Sequence, residues 1–276
     1  SYFKPSSRRK TQGTNKSLMR LYPNVKLNLG LHVLGMRPDG YHNIETVFLP
    51  YYGYSDCLEI VPAPNFEISI FGSEYSGWEP AKDICADAWR LLREDFDIDS
   101  VHISLEKCSP VGAGLGGGSA DAAFTLIGLN DIFSLGLSLE QMADYASRLG
   151  SDCAFFIYNK PCFARGRGEI LEPIELPLDA YRFEVLVPQG VRVSTKEAYA
   201  DLVRRPQQKP DDMSLKELLL QTPVERWRNL IVNDFEASVF PKYPEIKSLK
   251  DDFYARGAVY ASMSGSGSAV FGMFPK

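Results

Sequence analysis

The sequence predicts an α+β protein of two domains. Three observations carry this. Short segments of alternating apolar and polar residues recur through the first 110 positions, runs with helical spacing follow them, and composition shifts near residue 175. A chain of 276 residues is long for one average domain and short for three. Its 45% hydrophobic and 24% charged content is that of a chain able to bury a full core.

Residues 25–35 set Leu27, Leu29, Leu31 and Val33 on one face and Lys26, Asn28 and His32 on the other, which predicts a half-buried strand with a polar working face. Pro38-Asp39-Gly40 is a turn signal, and a second alternating stretch through 41–52 completes a predicted hairpin. Further short strands are expected at 56–61, 66–71 and 101–107. Residues 82–96 repeat apolar positions at helical spacing, and so do Ala120, Ala123, Phe124 and Ile127. Ser138 with Gln141 forms a capping box for a helix ending at Gly150. Phe155–Tyr158 and Cys162–Arg165 read as paired strands.

Residues 172–180 hold two prolines and little pattern, so the domains are expected at 19–175 and 176–276. The second opens with a strand at Phe183–Val187. A helix capped by Ser194 and Glu197 follows, then a polar loop at 204–212, further helices between 214 and 253, and two closing strands around Ser264-Gly265-Ser266-Gly267-Ser268.

Charge excludes one class of function. Lys4, Arg8, Arg9, Lys10 and Lys16 lie in residues 1–18, which read as a disordered extension or an expression remnant. Without them the chain has 25 basic against 35 acidic residues, a poor surface for nucleic acid. The five cysteines are odd in number and include no Cys-x-x-Cys pair, which argues for a reducing compartment and against a zinc site. No apolar run reaches the length of a membrane span, so a cytoplasmic protein without membrane contact is expected.

The strongest chemical signal is Gly112-Ala113-Gly114-Leu115-Gly116-Gly117-Gly118-Ser119, which feeds into a helix. Glycine admits positive φ and close backbone approach, and the first amides of a helix attract anions. Together they predict a phosphate cradle. The segment ends Gly-Gly-Ser, so it is not a P-loop, which ends Gly-Lys-Ser/Thr. A dinucleotide fingerprint is formally met by Gly112, Gly114 and Gly117, but the preceding strand alternates and about a hundred residues come before it. A dinucleotide-binding oxidoreductase therefore stands as an alternative that predicts binding of NAD(P) and not of ATP.

Residues Pro110 to Ala123 resemble the second motif of the GHMP kinases. Lys26-Leu27-Asn28-Leu29-Gly30-Leu31 is similar to the first motif, and Ser264–Ser268 to the third. Arg37–His42, Gly150-Ser151-Asp152 and Ala164–Glu169 are similar to the branch that phosphorylates the 2-hydroxyl of a cytidine-diphosphate-linked methylerythritol, in the non-mevalonate route to isoprenoid precursors. The resemblance implies a two-domain α+β kinase with its active site in a cleft between domains, using ATP and Mg²⁺.

By the same resemblance Asp152 is the base and Lys26 its partner in stabilising the transferring phosphoryl. Lys107, Pro110, Gly112, Gly114, Leu115, Gly116, Gly117, Gly118 and Ser119 bind ATP, with Ser119 near the metal. Asn28, Tyr41, His42, Thr195 and Tyr199 bind the acceptor, Tyr41 and Tyr199 stacking on the cytosine and His42 bonding its edge. The implied partner is a small-molecule cytidine diphosphate conjugate, with the chain a monomer or homodimer. A GHMP kinase for another alcohol, of homoserine or mevalonate type, is the nearest alternative.

Overall fold

The computed structural model describes residues 18–72, 79–202 and 213–276. The extension read at 1–18, apart from Leu18, and the loop read at 204–212 lie outside them. Two compact units interleave along the chain. Of the described residues, those of the first unit lie within 1–25, 54–111 and 117–159, and those of the second within 26–53, 112–116 and 160–276. The boundary expected near 175 falls inside the last segment of the second unit.

The first unit holds a four-stranded sheet ordered β1-β4-β6-β5: β1 Met19–Leu21, β4 Cys57–Pro62, β6 Val101–Glu106 and β5 Glu67–Phe71. The central β6 runs antiparallel to β4 and parallel to β5. Its Val101, Ile103 and Leu105 are buried, which is the face the alternation predicted. The unit's helices are α1 (Ile84–Asp95), α2 (Gly117–Ile132), α3 (Leu139–Leu149) and α4 (Cys153–Tyr158). Helix α2 packs against the other three and is buried on most of its circumference, from Ala120 to Ile132. Phe124 and Ile127, expected in its stripe, are only half-buried. Even its Gly128 is needed, since a Cβ there would lie 2.7 Å from Ile60. Helix α3 starts at the predicted capping box, with both hydrogen bonds formed.

The paired-strand reading of Phe155–Tyr158 fails. These residues belong to helix α4, and only Cys162–Arg165 is a strand.

In the second unit β2 (Asn24–Met36), β3 (His42–Ser55), β7 (Cys162–Arg165) and β8 (Ile170–Pro173) form a sheet in that order. A second sheet is ordered β10-β11-β9: β10 Tyr260–Met263, β11 Val270–Pro275 and β9 Tyr181–Leu186. Helices α5 (Thr195–Ala200), α6 (Leu215–Gln221), α7 (Trp227–Leu230), α8 (Phe235–Val239) and α9 (Pro244–Ala255) complete it. One core joins Leu31, Val33, Ile44, Phe235, Ile246, Phe253, Met263 and Val270.

The half-buried reading of β2 also needs correction. Its polar face is as buried as its apolar one: Lys26 is 3% exposed, Asn28 2% and His32 2%. A buried polar face needs internal partners, and these build the candidate site.

Candidate active site

Four residues of the second unit meet in one polar junction. The Lys26 ammonium donates to Asn28 Oδ1 and to the Gly114 carbonyl, the latter at 2.9 Å. The Ser264 hydroxyl lies 3.0 Å from that carbonyl and 3.4 Å from Asn28 Oδ1, and it accepts from the Asn28 amide at 3.2 Å. The carboxamide nitrogen of Asn28 donates to Thr46 Oγ1 at 3.0 Å. Strand β2 also receives the glycine segment directly, the Lys26 amide donating to the Leu115 carbonyl at 2.9 Å. Leu115 itself is a core side chain, 1% exposed, so only its backbone is free to serve a ligand. The three segments singled out in the sequence, near 26, 114 and 264, thus converge.

The glycines here differ in purpose. Gly112, Gly114 and Gly116 all have positive φ. A Cβ on Gly112 would meet nothing within 4 Å, which leaves the open approach a phosphate needs. A Cβ on Gly114 would lie 2.2 Å from the Ser264 carbonyl oxygen. Gly114 is therefore small because the turn at 264–267 packs on it. The Gly114 carbonyl is turned toward Lys26 and Ser264, so the planar peptide turns the next amide, that of Leu115, the opposite way.

Asn233 holds the same turn from the other side. Its side-chain nitrogen donates to the carbonyls of Met263 and Gly265, each at 2.8 Å, and its oxygen accepts from Phe235 N. The neighbouring Asp234 accepts from Val33 N at 2.8 Å, tying β2 to the start of α8.

The acceptor-side residues of the second unit lie apart from that junction in sequence. The turn at 37–41 presents Tyr41, 52% exposed, with Asp39 accepting from its amide. The Arg167 guanidinium lies 3.6 Å from the centre of the Tyr41 ring. His42 stacks on Tyr199, and Tyr199 meets Phe235 edge-on. Thr195, the first residue of α5, shares a 2.8 Å hydrogen bond with Ser266. Sequence reasoning gave no role to Thr46, Asn233 or Asp56. Thr46 and Asp56 have partners remote in sequence, and Asn233 joins a local bond to Phe235 N with two remote ones to Met263 and Gly265, so no local signal shows what they hold together.

In the first unit α2 begins at Gly117, which places Ser119 inside its first turn rather than at the cap. Pro110 is half-buried and Gly118 open, with nothing within 4 Å of an added Cβ. Lys107 is not a solvated strand end. Its side chain is 4% exposed and its ammonium pairs with both Asp56 and Asp121. Burial opposes the Lys107 charge, but attraction to Asp121 and Asp56 outweighs it and holds its pKa above the ordinary value. Burial likewise opposes the Asp56 carboxylate. Lys107 and the Ser109 amide overcome it and keep Asp56 below the usual carboxylate range. For Asp121 burial wins, and its pKa stands well above the usual range despite Lys107.

Asp152 is half-buried and immediately precedes α4, where the sequence placed a strand. Its side chain makes no capping bond to that helix. Among the described residues no group of three His, Cys, Asp or Glu is arranged to hold a metal, and no helix is long and apolar enough to cross a membrane.

These features are those of a small-molecule kinase fold. The model of the GHMP kinases N terminal domain matches residues 83–160, and that of the GHMP kinases C terminal domain matches 215–276. A solved homoserine kinase from Cytophaga hutchinsonii shares the fold, with TM-score 0.69 at 17% identity over 96% of this chain and 87% of that one. The chain is a GHMP kinase.

Nearer relatives narrow the branch. The 4-diphosphocytidyl-2-C-methyl-D-erythritol kinase of Bacteroides fragilis strain YCH46 is 49% identical over 93% of this chain and 92% of its own length. That of Cytophaga hutchinsonii is 47% identical over 92% and 91%. A crystal structure of 4-(cytidine 5'-diphospho)-2C-methyl-D-erythritol kinase aligns with TM-score 0.73 and 33% identity, covering 92% and 90%. The chain belongs to the 4-diphosphocytidyl-2-C-methyl-D-erythritol kinase family.

Proposed function

We propose that the protein transfers the γ-phosphoryl group of ATP to the 2-hydroxyl of 4-diphosphocytidyl-2-C-methyl-D-erythritol. The observation that carries this reading is the junction of Lys26, Asn28, Gly114 and Ser264. It fixes a glycine segment with an outward amide beside a buried lysine, the arrangement that phosphoryl transfer uses to place and neutralise phosphate oxygens.

In this reading residues 19–175 supply the ATP side. Lys107, Pro110 and the amides of Gly112–Ser119 line the phosphates, and the first turn of α2 adds the positive end of its dipole. Ser119, a partly exposed residue in the first turn of α2, would hold a Mg²⁺ carried in with the nucleotide, and such an ion would neutralise phosphate charge there. Asp152 takes the proton as the acceptor O–H bond breaks and the oxygen bonds to phosphorus, while the bond from the γ-phosphorus to the β-phosphate bridge opens. Lys26 stabilises the charge on the transferring group. Asn28, Tyr41, His42, Thr195 and Tyr199 hold the acceptor, with Tyr41 an exposed ring suited to a base. The proposed setting is cytoplasmic, as a monomer or homodimer acting on a small molecule, with no nucleic-acid or membrane partner.

Asp152→Asn tests the base role. Turnover should fall about 10²–10⁴-fold with ATP binding retained. Near-normal turnover removes Asp152 from that role. Cytidine diphosphate should compete with the acceptor, and failure to compete would favour an acceptor of homoserine or mevalonate type.

A further inference from the structure

We propose that Asp56 is a positioning residue for ATP, fixing the two ends of the glycine loop at the spacing that the phosphate cradle requires. The proposal rests on the reading of the loop as that cradle. Asp56 immediately precedes β4, is 1% exposed and has both carboxylate oxygens engaged by protein groups, so it acts through those groups. One carboxylate oxygen accepts three hydrogen bonds from the segment entering the loop: Cys108 N at 2.7 Å, Ser109 N at 2.8 Å and Ser109 Oγ at 2.8 Å. The other oxygen pairs with Lys107.

Lys107 carries the connection onward. Its ammonium also pairs with Asp121, on the second turn of α2. The first residue of that helix rests on the same cluster. A Cβ on Gly117 would lie 3.1 Å from Ser109 Oγ, 3.5 Å from Lys107 Nζ and 4.0 Å from Asp56 Oδ2. Asp56 thus holds the residues that enter the loop, 107–109, and Lys107 among them pairs with Asp121 of the segment 117–121 that leaves it.

The physical consequence is specific. Anion binding at a helix start depends on where the first unpaired amides point, and small misplacements of positioned groups cost rate and affinity steeply. A carboxylate accepting three bonds on one oxygen fixes direction as well as distance, which apolar packing does not. Loss of Asp56 also leaves Lys107 short of a charge partner in a buried place. The loop ends should then shift, and the effect should fall on ATP rather than on the acceptor.

The experiment measures KM for Mg·ATP, KM for the acceptor, kcat and thermal unfolding for wild type, Asp56→Ala and Asp56→Asn. Asparagine keeps an oxygen for the 108–109 donors and loses the charge. The expected result is an ATP KM raised at least tenfold in Asp56→Ala and by a smaller factor in Asp56→Asn. Acceptor KM should stay within twofold in both. An ATP KM within twofold of wild type in a folded variant overturns the proposal. So does a fall in kcat that only tracks the folded fraction. If Asp56→Ala does not fold, Asp56→Asn decides by the same criterion. Wild type that fails to phosphorylate the acceptor would instead count against the proposed function, and titration of Mg·ATP binding to wild type and Asp56→Asn would then carry the test of Asp56.

Discussion

The ring of His42 lies flat against that of Tyr199, with centroids 4.7 Å apart and planes 17° apart. Phe235 holds Tyr199 edge-on from another side. Tyr199 is therefore a fixed aromatic wall with a histidine already on it, and the proposed cytosine stack must share or replace that contact. Stacking of a base on an aromatic ring is worth about 1–3 kcal/mol. Tyr199→Ala should raise the acceptor KM about 5- to 150-fold by that range and leave the ATP KM unchanged. Tyr199→Phe should stay close to wild type. Steady-state kinetics with each substrate varied in turn checks both.

Gly112 and Gly114 separate backbone conformation from packing. Both sit at positive φ, but only Gly114 has the Ser264 carbonyl oxygen 2.2 Å from where a Cβ would be. Gly112→Ala should cost about 1–2 kcal/mol, the conformational penalty alone. Gly114→Ala should cost about 2–5 kcal/mol, because overpacking adds to that penalty. Urea unfolding of the two variants gives the comparison.

Asp121 offers a pH test with a definite sign. Burial raises its pKa in the folded protein, so its contribution is fully present below the unfolded value near 3.9 and is lost as pH rises through the folded pKa. Its Oδ1 has no hydrogen-bond partner, in keeping with a site that does not favour a full charge. Asp121→Asn carries no such loss. Its stability relative to wild type should improve as pH rises above about 4, by up to about 1.4 kcal/mol per pH unit. Asp56, whose pKa is depressed, behaves oppositely. Its contribution is present above the unfolded value and falls as pH drops through the folded one. Unfolding curves from about pH 2 to 8 on wild type, Asp121→Asn and Asp56→Asn read both trends, the Asp56 one below about pH 4 and the Asp121 one above it.

The cysteines differ sharply in access. Cys108 is exposed and Cys57 half-buried, while Cys85, Cys153 and Cys162 are buried. Burial pushes the Cys153 thiol up to about 12 and that of Cys162 to about 11. The thiolate is the reactive form. Iodoacetamide at pH 8 should label Cys108 first, and the three buried thiols only in denaturant, as peptide mass mapping would show.

Much of this site could be read from local pattern. Positive-φ glycines, the turn at Pro38-Asp39-Gly40 and the capping box at Ser138 and Gln141 are each set by neighbouring residues, so each was legible. The polar face of β2 was not. Lys26 and Asn28 read as a solvent-facing set because alternation reports only that two faces differ. Their partners at Gly114 and Ser264 lie far along the chain, and those partners permit burial. Phe155–Tyr158 was misread for a different reason. Helix α4 has six residues, too few for a helical repeat to stand out against a run of aromatic residues. Ser194 caps α5 as expected, accepting from Glu197 N at 3.4 Å. Asp56 had no local signal at all.

The central claim is phosphoryl transfer from ATP to a cytidine-diphosphate-linked alcohol. The direct measurement is ADP release from Mg·ATP by the purified protein, with and without 4-diphosphocytidyl-2-C-methyl-D-erythritol. Release that depends on that compound, and that Asp152→Asn lowers about 10²–10⁴-fold, is the predicted result. ATP binding with no stimulation by the compound would contradict the acceptor assignment, and saturable NAD(P) binding without ATP binding would contradict the account of the glycine loop.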